Sequence, residues 1–387
     1  MPSGVRSKSE SNIVKQKMVK SKFIPALAVL LGTIIGAGFL GIPYVISKSG
    51  FLIGVVYLLL IAGFIMLTKL YLGEVALRTK ETCQLAGYAD RYLGKSGKFV
   101  MFFAMIFGIY SALVAYLIGE GRSLSYVVFG NFGNALAISL LFWATLTILT
   151  YIGLKALKKY EKISMFVVLG LVLLIFVFFI GRVNLENLSY INSETFAPFG
   201  VILFSFLAFS ALPEVKRILS GQEKLMKRVI VTGILLAFSI YLLFTFVVVG
   251  VFGNGVQEIA TLSLGRFFAL LGVMTMFTAY FALSIAIRDM FRFDFKLGRF
   301  KGWLLSSLVP LILFLVVYFF KVVSFVQILS MAGIVSGGLT GISVLLMNLR
   351  AKKLGNRKPE YTVGINWIVI IVLSALFIAA VVLEILR

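Results

Sequence analysis

The groups in this chain best placed to do chemistry are backbone amides and carbonyls. The run Gly32-Thr-Ile-Ile-Gly-Ala-Gly-Phe-Leu-Gly-Ile-Pro43 puts four glycines and a proline inside an otherwise apolar stretch. A second run, Phe204-Ser-Phe-Leu-Ala-Phe-Ser-Ala-Leu-Pro-Glu-Val215, has a patch of small residues and then Pro213. Within a membrane, such residues are tolerated where the backbone groups they free find other partners, in protein or in a wet cavity. A break at Gly36-Ala37-Gly38 frees amides of the half-helix that follows and carbonyls of the one that precedes. Amides at Ala37, Gly38 and Phe39 form a half-helix N-terminus, which suits an anion. Carbonyls near Gly32 and Ile35 suit a sodium ion or an ammonium group. Glycine at 36 and 38 lets a ligand touch the backbone. A zwitterion with its two charges a few ångström apart fits such a site.

Side chains around the two runs complete the candidate site. The first run offers Thr33, Gly36, Ala37 and Gly38. The second offers Phe204, Ser205, Phe206, Phe209 and Ser210 at similar depth, an apolar pocket with a few hydroxyls. With 37 phenylalanines in the chain, most such rings must face lipid instead. Tyr110 sits near mid-depth, so its hydroxyl needs a partner, either backbone or substrate. Glu214 follows Pro213 and has either a gating or protonation role or an ion pair with a basic loop residue. Thr275, Thr278 and Ser284 are packing hydroxyls or cation ligands. Lys69 lies in the inner third of its stretch, within snorkelling distance of the interface. Glu74, Glu120 and Lys216 lie near stretch ends, where the interface accounts for them.

The elements that must position these groups are membrane helices. Of 387 residues, 60% are hydrophobic and 13% charged, against about 45–50% and about 25% in soluble domains. Eleven apolar stretches approach the roughly 20 residues needed to span a bilayer: 23–47, 51–76, 98–121, 134–154, 163–181, 197–219, 229–251, 263–287, 302–320, 322–347 and 365–386. The segment 1–22 reads as a basic tail. The first stretch is too long for a signal h-region and lacks a cleavage site, so it reads as a retained helix. The lone cysteine, Cys83, excludes an internal disulfide.

Charge placement gives the orientation. The net charge is +22, yet most of the 37 basic residues fall in the tail and in alternate loops. The opposite side holds only Lys48, Arg122, Arg182, Arg266, Lys321 and Arg387. That asymmetry puts the N-terminus in the cytoplasm and the C-terminus outside a plasma membrane. Basic loops beside anionic lipid need no nucleic-acid partner. An enzyme is excluded on residue types: there is no histidine for a catalytic pair or a histidine zinc site, and no phosphate-cradling GxxxxGK[ST] run. No cofactor is expected beyond a coupling ion.

The two glycine- and proline-bearing runs align. Phe39-Leu-Gly-Ile-Pro-Tyr-Val45 matches Phe209-Ser-Ala-Leu-Pro-Glu-Val215 at an offset of 170 residues. The offset divides the chain into stretches 1–5 (23–181) and 6–10 (197–347), with 365–387 left as an extra helix. The first stretch enters the membrane from inside and the sixth from outside, so the halves are inverted. Interrupted helices at matching places in inverted halves point to a transporter's midplane site. The competing reading is close helix packing through small residues. It suits Gly32-x-x-x-Gly36 and Gly337, Gly338 and Gly341, but asks for neither Pro43 nor a counterpart in the sixth stretch.

At Gly32 to Tyr44 the sequence resembles the amino acid/polyamine/organocation superfamily, and within it the amino acid/auxin permeases and the hydroxy/aromatic amino acid permeases. Ala211-Leu-Pro-Glu-Val215, Ala286-Ile-Arg-Asp-Met-Phe291 and Ala332-Gly-Ile-Val-Ser-Gly-Gly-Leu-Thr-Gly341 are similar to runs in those families. The resemblance implies an all-α fold with a five-plus-five inverted repeat, discontinuous first and sixth helices and alternating access. It implies that Ile34, Ala37 and Gly38 face substrate with Phe204 to Ser210. It also implies a cation site between Gly32, Ile35 and the hydroxyls of the eighth helix. Some relatives carry a glutamate in the sixth-helix break, where this chain has Ser210. Others carry a lysine inside the fifth helix, which here holds no charge between Ile163 and Ile180. Sodium and proton both remain open. The expected function is import of amino acids, large neutral or aromatic ones given the phenylalanines. The alternatives are an amino-acid-sensing receptor on the same fold, or an exchanger of another small zwitterion or amine.

Overall fold

A computed structural model describes residues 21–364 apart from 82, 153–156, 192, 193 and 294, together with 371, 374, 375, 377–379 and 382. Side-chain placement is described outside 153–167 and at all but a few of these positions. The described chain is all-helical and contains no strand. Its main helices are α1 (Phe23–Ile34), α2 (Ile42–Ser49), α3 (Phe51–Arg78), α4 (Leu85–Phe129), α5 (Ala135–Ile152) and α6 (Leu157–Phe179). They continue as α7 (Pro198–Phe206), α8 (Ala211–Ile218), α9 (Met226–Phe252), α10 (Arg266–Phe293), α11 (Arg299–Phe320) and α12 (Phe325–Leu354). Among the described residues, eight helices are long and apolar enough to cross a membrane. The α1–α2 pair, bent by 45°, makes a ninth if counted as one span. The tail 1–22, for all but its last two residues, and most of the eleventh stretch, 365–387, lie outside the described residues.

Helix α12 is the most enclosed span and packs against α4, α7 and α3. It starts at a capping box, in which Ser324 accepts from the Gln327 amide and the Gln327 side chain accepts from the Ser324 amide. Those bonds satisfy donors that a helix start leaves free. Close approach to α7 needs glycine on both sides. A Cβ on Gly333 would collide with the Gly200 carbonyl, and one on Gly200 with Ser330. Helix α9 packs against α1, α2, α3 and α6, and α10 against α4, α6 and α11. Two tryptophans zip α5 to α11: Trp143 donates to the Ser307 carbonyl and Trp303 to the Thr147 carbonyl, both at 2.9 Å.

Two expectations are corrected here. The loop before the third stretch is itself helical from Leu85, because Leu85, Ala86, Tyr88, Ala89 and Tyr92 bury one face. Gly94, at φ +76°, turns that piece into the spanning part, a backbone angle that glycine alone takes easily. The charged residues assigned to the interface are interior. Glu74 and Glu120 have no exposed surface and Lys216 has 7%. Glu120 is not near a helix end, since α4 runs on to Phe129. Glu74 is covered by the segment after α12, where the Asn356 and Arg357 amides both donate to the Arg78 carbonyl at 3.1 Å. Tyr361 in that segment donates to the Leu70 carbonyl at 2.8 Å. Burial, with Glu74 nearby, pushes the Tyr361 phenol well above its ordinary pKa.

Glu74 is fully partnered. Its carboxylate accepts from Arg78 Nε at 2.8 Å, the Val363 amide at 2.9 Å and Asn348 Nδ2 at 3.3 Å. Removing one member of a buried, satisfied charge pair costs about 3–5 kcal/mol. Glu74→Ala is therefore expected to lower the melting temperature in detergent strongly, and Glu74→Gln, which keeps an acceptor, by clearly less. Equal melting of Glu74→Ala and wild type would show that this cluster holds nothing together.

Candidate functional site

The first span breaks at Ile35–Gly36. Helix α1 ends at Ile34, Ile35 takes φ −82° and ψ 64°, and Gly36 is extended at ψ −166°. The chain resumes as a tight turn over Ala37–Gly41 and then as α2, which carries Pro43 at its start, where a missing N–H does no harm. The sixth span breaks at Leu207–Ser210, between α7 and α8. Ala208 there has φ +42°, a region that residues with a Cβ rarely occupy.

One side chain joins the two breaks. The hydroxyl of Tyr241, on α9, lies 3.0 Å from the Ile34 carbonyl and 2.9 Å from the Ser205 carbonyl. Each carbonyl sits in the last turn of its half-helix, past the reach of a normal helical bond; the Ile34 carbonyl also accepts from the Gly36 amide at 2.9 Å. Tyr241 is fully buried, with Phe39 stacked on it at 6.0 Å and 4° and Phe206 edge-on at 5.0 Å. A second tyrosine, Tyr116 of α4, meets the other side of the first break. Its hydroxyl is hydrogen-bonded with the Ala37 backbone and lies 3.5 Å from where a Gly36 Cβ would stand. Phe204 covers Gly38, and a Cβ at 38 would lie 2.7 Å from its ring.

The breaks have an accessible side and a buried one. Thr33 and Ser210 are exposed, while Gly32, Gly36, Phe204, Leu207 and Ala208 are half-buried. Ala37, Gly38, Phe39, Leu40 and Gly41 are all buried. At the basic end of the bundle, Lys22 donates to the Ser220 carbonyl and Lys216 to the Thr79 and Glu81 carbonyls. At the opposite end, a cavity of about 310 Å³ is lined by residues including Tyr44, Lys48, Glu194, Glu258, Ser324 and Gln327. Along the first span, the buried Ala37–Gly41 turn separates that cavity from the break.

The remaining candidates are dispersed. Ile34 and Ile35 are buried, and Thr33 donates back to the Val29 carbonyl at 2.8 Å. Phe206 belongs to the aromatic cluster around Tyr241 and faces away from the accessible side. Phe209 is buried, with its ring 5.9 Å from Lys69 Nζ. Tyr110 donates to the Leu305 carbonyl at 3.1 Å, which is the backbone partner among its two options. Thr275 donates to the Gly272 carbonyl, and Thr278 to Met274 and Thr275 carbonyls, so their protons stay within α10. That helix approaches the Ala37–Gly41 turn. Glu214 pairs with Arg217 one turn along α8 at 2.7 Å.

Tyr116 and Tyr241 were not singled out by the sequence reading. The signal was present in the same form as for Tyr110, a phenol deep in an apolar stretch that needs a partner. Losing the Tyr241 hydroxyl takes a donor from the Ser205 carbonyl and leaves the Ile34 carbonyl with the Gly36 amide alone, at a cost of roughly 1–3 kcal/mol for a buried group left unsatisfied. Tyr241→Phe is thus expected to melt lower in detergent than wild type, whereas Tyr110→Phe, nearer the accessible side, is expected to melt close to it. Indistinguishable melting of Tyr241→Phe would remove the tyrosine from this role.

The chain is 23% identical over 226 residues to a protein of Haemophilus influenzae named tyrosine-specific transport system 1, covering 58% of this chain and 56% of that one. It is 22% identical over 240 residues to glutamine transporter 2 of Aliivibrio fischeri, covering 59% and 61%. It is 25% identical over 249 residues to tyrosine-specific transport system 2 of Haemophilus influenzae, covering 60% and 59%. The chain thus matches less than two thirds of the length of these curated relatives. The sequence profile of one family matches residues 19–261, more than half of the chain and both breaks. On that match, and in line with the resemblance read from the first break, the chain belongs to the tryptophan/tyrosine permease family.

Proposed function

We propose that this chain is a secondary active permease that imports amino acids by alternating access, with large neutral or aromatic side chains as cargo and sodium or proton as the coupling ion. The observation that carries the reading is the meeting of two broken spans at Tyr241. A pair of broken helices at one depth offers backbone charges of both signs, which is what a zwitterion needs. Family membership and relatives named as tyrosine and glutamine transporters agree with that class of cargo.

In this reading the substrate carboxylate docks at the amides of Ala37 and Gly38, where the Tyr116 hydroxyl is positioned to donate to it. The ammonium faces the carbonyls at the end of α1. The side chain lies against Phe204 and the Leu207–Ser210 segment. Gly32, Ile35, Thr275 and Thr278 supply oxygens for a sodium ion, if sodium is used. Eleven spans in a five-plus-five inverted repeat plus one would place the basic end in the cytoplasm and the C-terminus outside. Relatives that transport by this route are carriers rather than enzymes, and no catalytic step is required.

Purified full-length chain in proteoliposomes is expected to exchange labelled tyrosine, tryptophan or phenylalanine in saturable counterflow. Binding without counterflow would indicate a receptor, and unsaturable flux a channel. Absence of exchange for every amino acid in a full panel would overturn the reading. Gly38→Leu, which drives a side chain into Phe204, is expected to raise the half-saturating concentration at least ten-fold or abolish uptake while the protein still inserts. Wild-type affinity in that variant would place the pocket elsewhere.

A further inference from the structure

Lys69 is the one described lysine that lies wholly inside the protein with no polar partner. It has no exposed surface, and Nζ has no hydrogen-bond acceptor. Among the described residues no carboxylate forms an ion pair with it. It sits about 14 Å along α3 from Arg78 at 1.5 Å per residue, and its side chain does not reach the interface. Instead Nζ points at the face of Phe209, 5.9 Å from the ring centre, in the broken segment of the sixth span.

The groups on neighbouring elements are engaged elsewhere. On α3 itself, Glu74 is held by Arg78, Asn348 and the Val363 amide, and Tyr71 donates to the Gly364 carbonyl. On α8, Glu214 pairs with Arg217, and Lys216 donates to two carbonyls. On α9, Tyr241 serves the two breaks, and Lys227 and Arg228 are exposed at the basic end. On α12, Arg350 and Lys352 donate to the Tyr92 and Val363 carbonyls, and Lys353 is exposed. On α2, Lys48 lies over the Tyr44 ring. Helix α7 carries no charged residue.

An ammonium without a counter-ion is costly in an apolar core, and one cation–π contact at this distance compensates only part of that. The group that covers it belongs to the broken segment of the sixth span. Ala208, just before Phe209, is held at φ +42°, and Ser210, just after it, is exposed. Resting on the permease reading, we propose that Lys69 is the proton site of the transport cycle, neutral while sealed against Phe209 and protonated when the Leu207–Ser210 segment shifts and admits water. A proton from water adds to the Nζ lone pair to give the ammonium, and its release reverses the step; no other bond changes.

The test uses full-length wild type, Lys69→Met and Phe209→Leu in proteoliposomes with labelled tyrosine and a pH-sensitive dye. Wild type is expected to accumulate tyrosine several-fold under an inward proton gradient, with protons entering alongside. Whatever exchange Lys69→Met retains is expected to ignore the gradient and move no protons. Phe209→Leu is expected to stay proton-driven with a displaced pH profile. Proton-driven accumulation by Lys69→Met would overturn the proposal, as would sodium-driven accumulation by wild type without proton movement; either leaves the permease reading standing. Failure of wild type to exchange any amino acid would sink that reading instead, and detergent melting then decides on Lys69. The unfolded chain carries a proton on this lysine that the folded chain lacks, so wild type should gain stability relative to Lys69→Met from pH 6 to pH 9. A constant difference between the two across that range would overturn the proposal.

Discussion

A helix cannot be broken at membrane depth unless something replaces the hydrogen bonds it loses, and here much of that replacement is one phenol. Tyr241 sits between the ends of α1 and α7 and serves a carbonyl of each. A hydroxyl has a single proton, so the two bonds share it, and each is weaker than a full one. Low dielectric raises the value of even a shared bond, because without it the Ser205 carbonyl loses the donor Tyr241 gives it and the Ile34 carbonyl keeps only the Gly36 amide. Phe39, Phe206 and Phe244 pack around the phenol and keep water from competing. The aromatic cluster therefore has a role beyond filling space. It lets two interrupted helices remain interrupted.

The buried charges divide by the same test. Glu74 and Lys216 have complete sets of partners and tie α3 to α12 and α8 at the basic end. Groups satisfied in this way are structural fixtures. Lys69 and Glu120 have none of these bonds, although both are wholly buried. A polar group that contributes nothing to the resting fold has to be accounted for by some other state of the molecule. For Lys69 the neighbouring broken segment supplies such a state. Glu120, deep in α4, lies away from both broken segments in the chain and has no such neighbour among the aromatic contacts described.

Both breaks were legible from residue types alone, because glycine and proline act locally and their effect on a helix needs no knowledge of the neighbours. The first break fell within two residues of Gly36-Ala37-Gly38, and the second at Leu207–Ser210, inside the run that ends at Pro213. What stayed hidden depends on rotation about a helix axis and on what covers a helix end. Apolar on every side, the stretches give no periodicity to say which face looks inward. Hence the buried Phe206 and Phe209 could not be separated from the half-buried Phe204. Nor could the burial of Glu74 be foreseen, since its cover comes from Asn356 to Val363, far along the chain. The helix from Leu85 to Gly94 was missed for a related reason: its short amphipathic face lies among charged residues that read as a loop.

Helix α1 is tied to α8 at the basic end and to α7 at the break. Lys22 donates through its amide to Gln222 and through Nζ to Ser220, linking the start of α1 to the segment after α8. Tyr241 links the last turn of α1 to that of α7, immediately before the segment leading to α8. Helices α1 and α8 also pack along their length. The Ala37–Gly41 turn has other supports, since Gly38 rests on Phe204 and Gly41 lies against Val201, Leu329 and Phe325. The chain on either side of the first break is thus held by different neighbours. Tyr241 stands where those two sets of contacts meet, so any change in the tilt of α1 would fall first on the shared proton of that phenol.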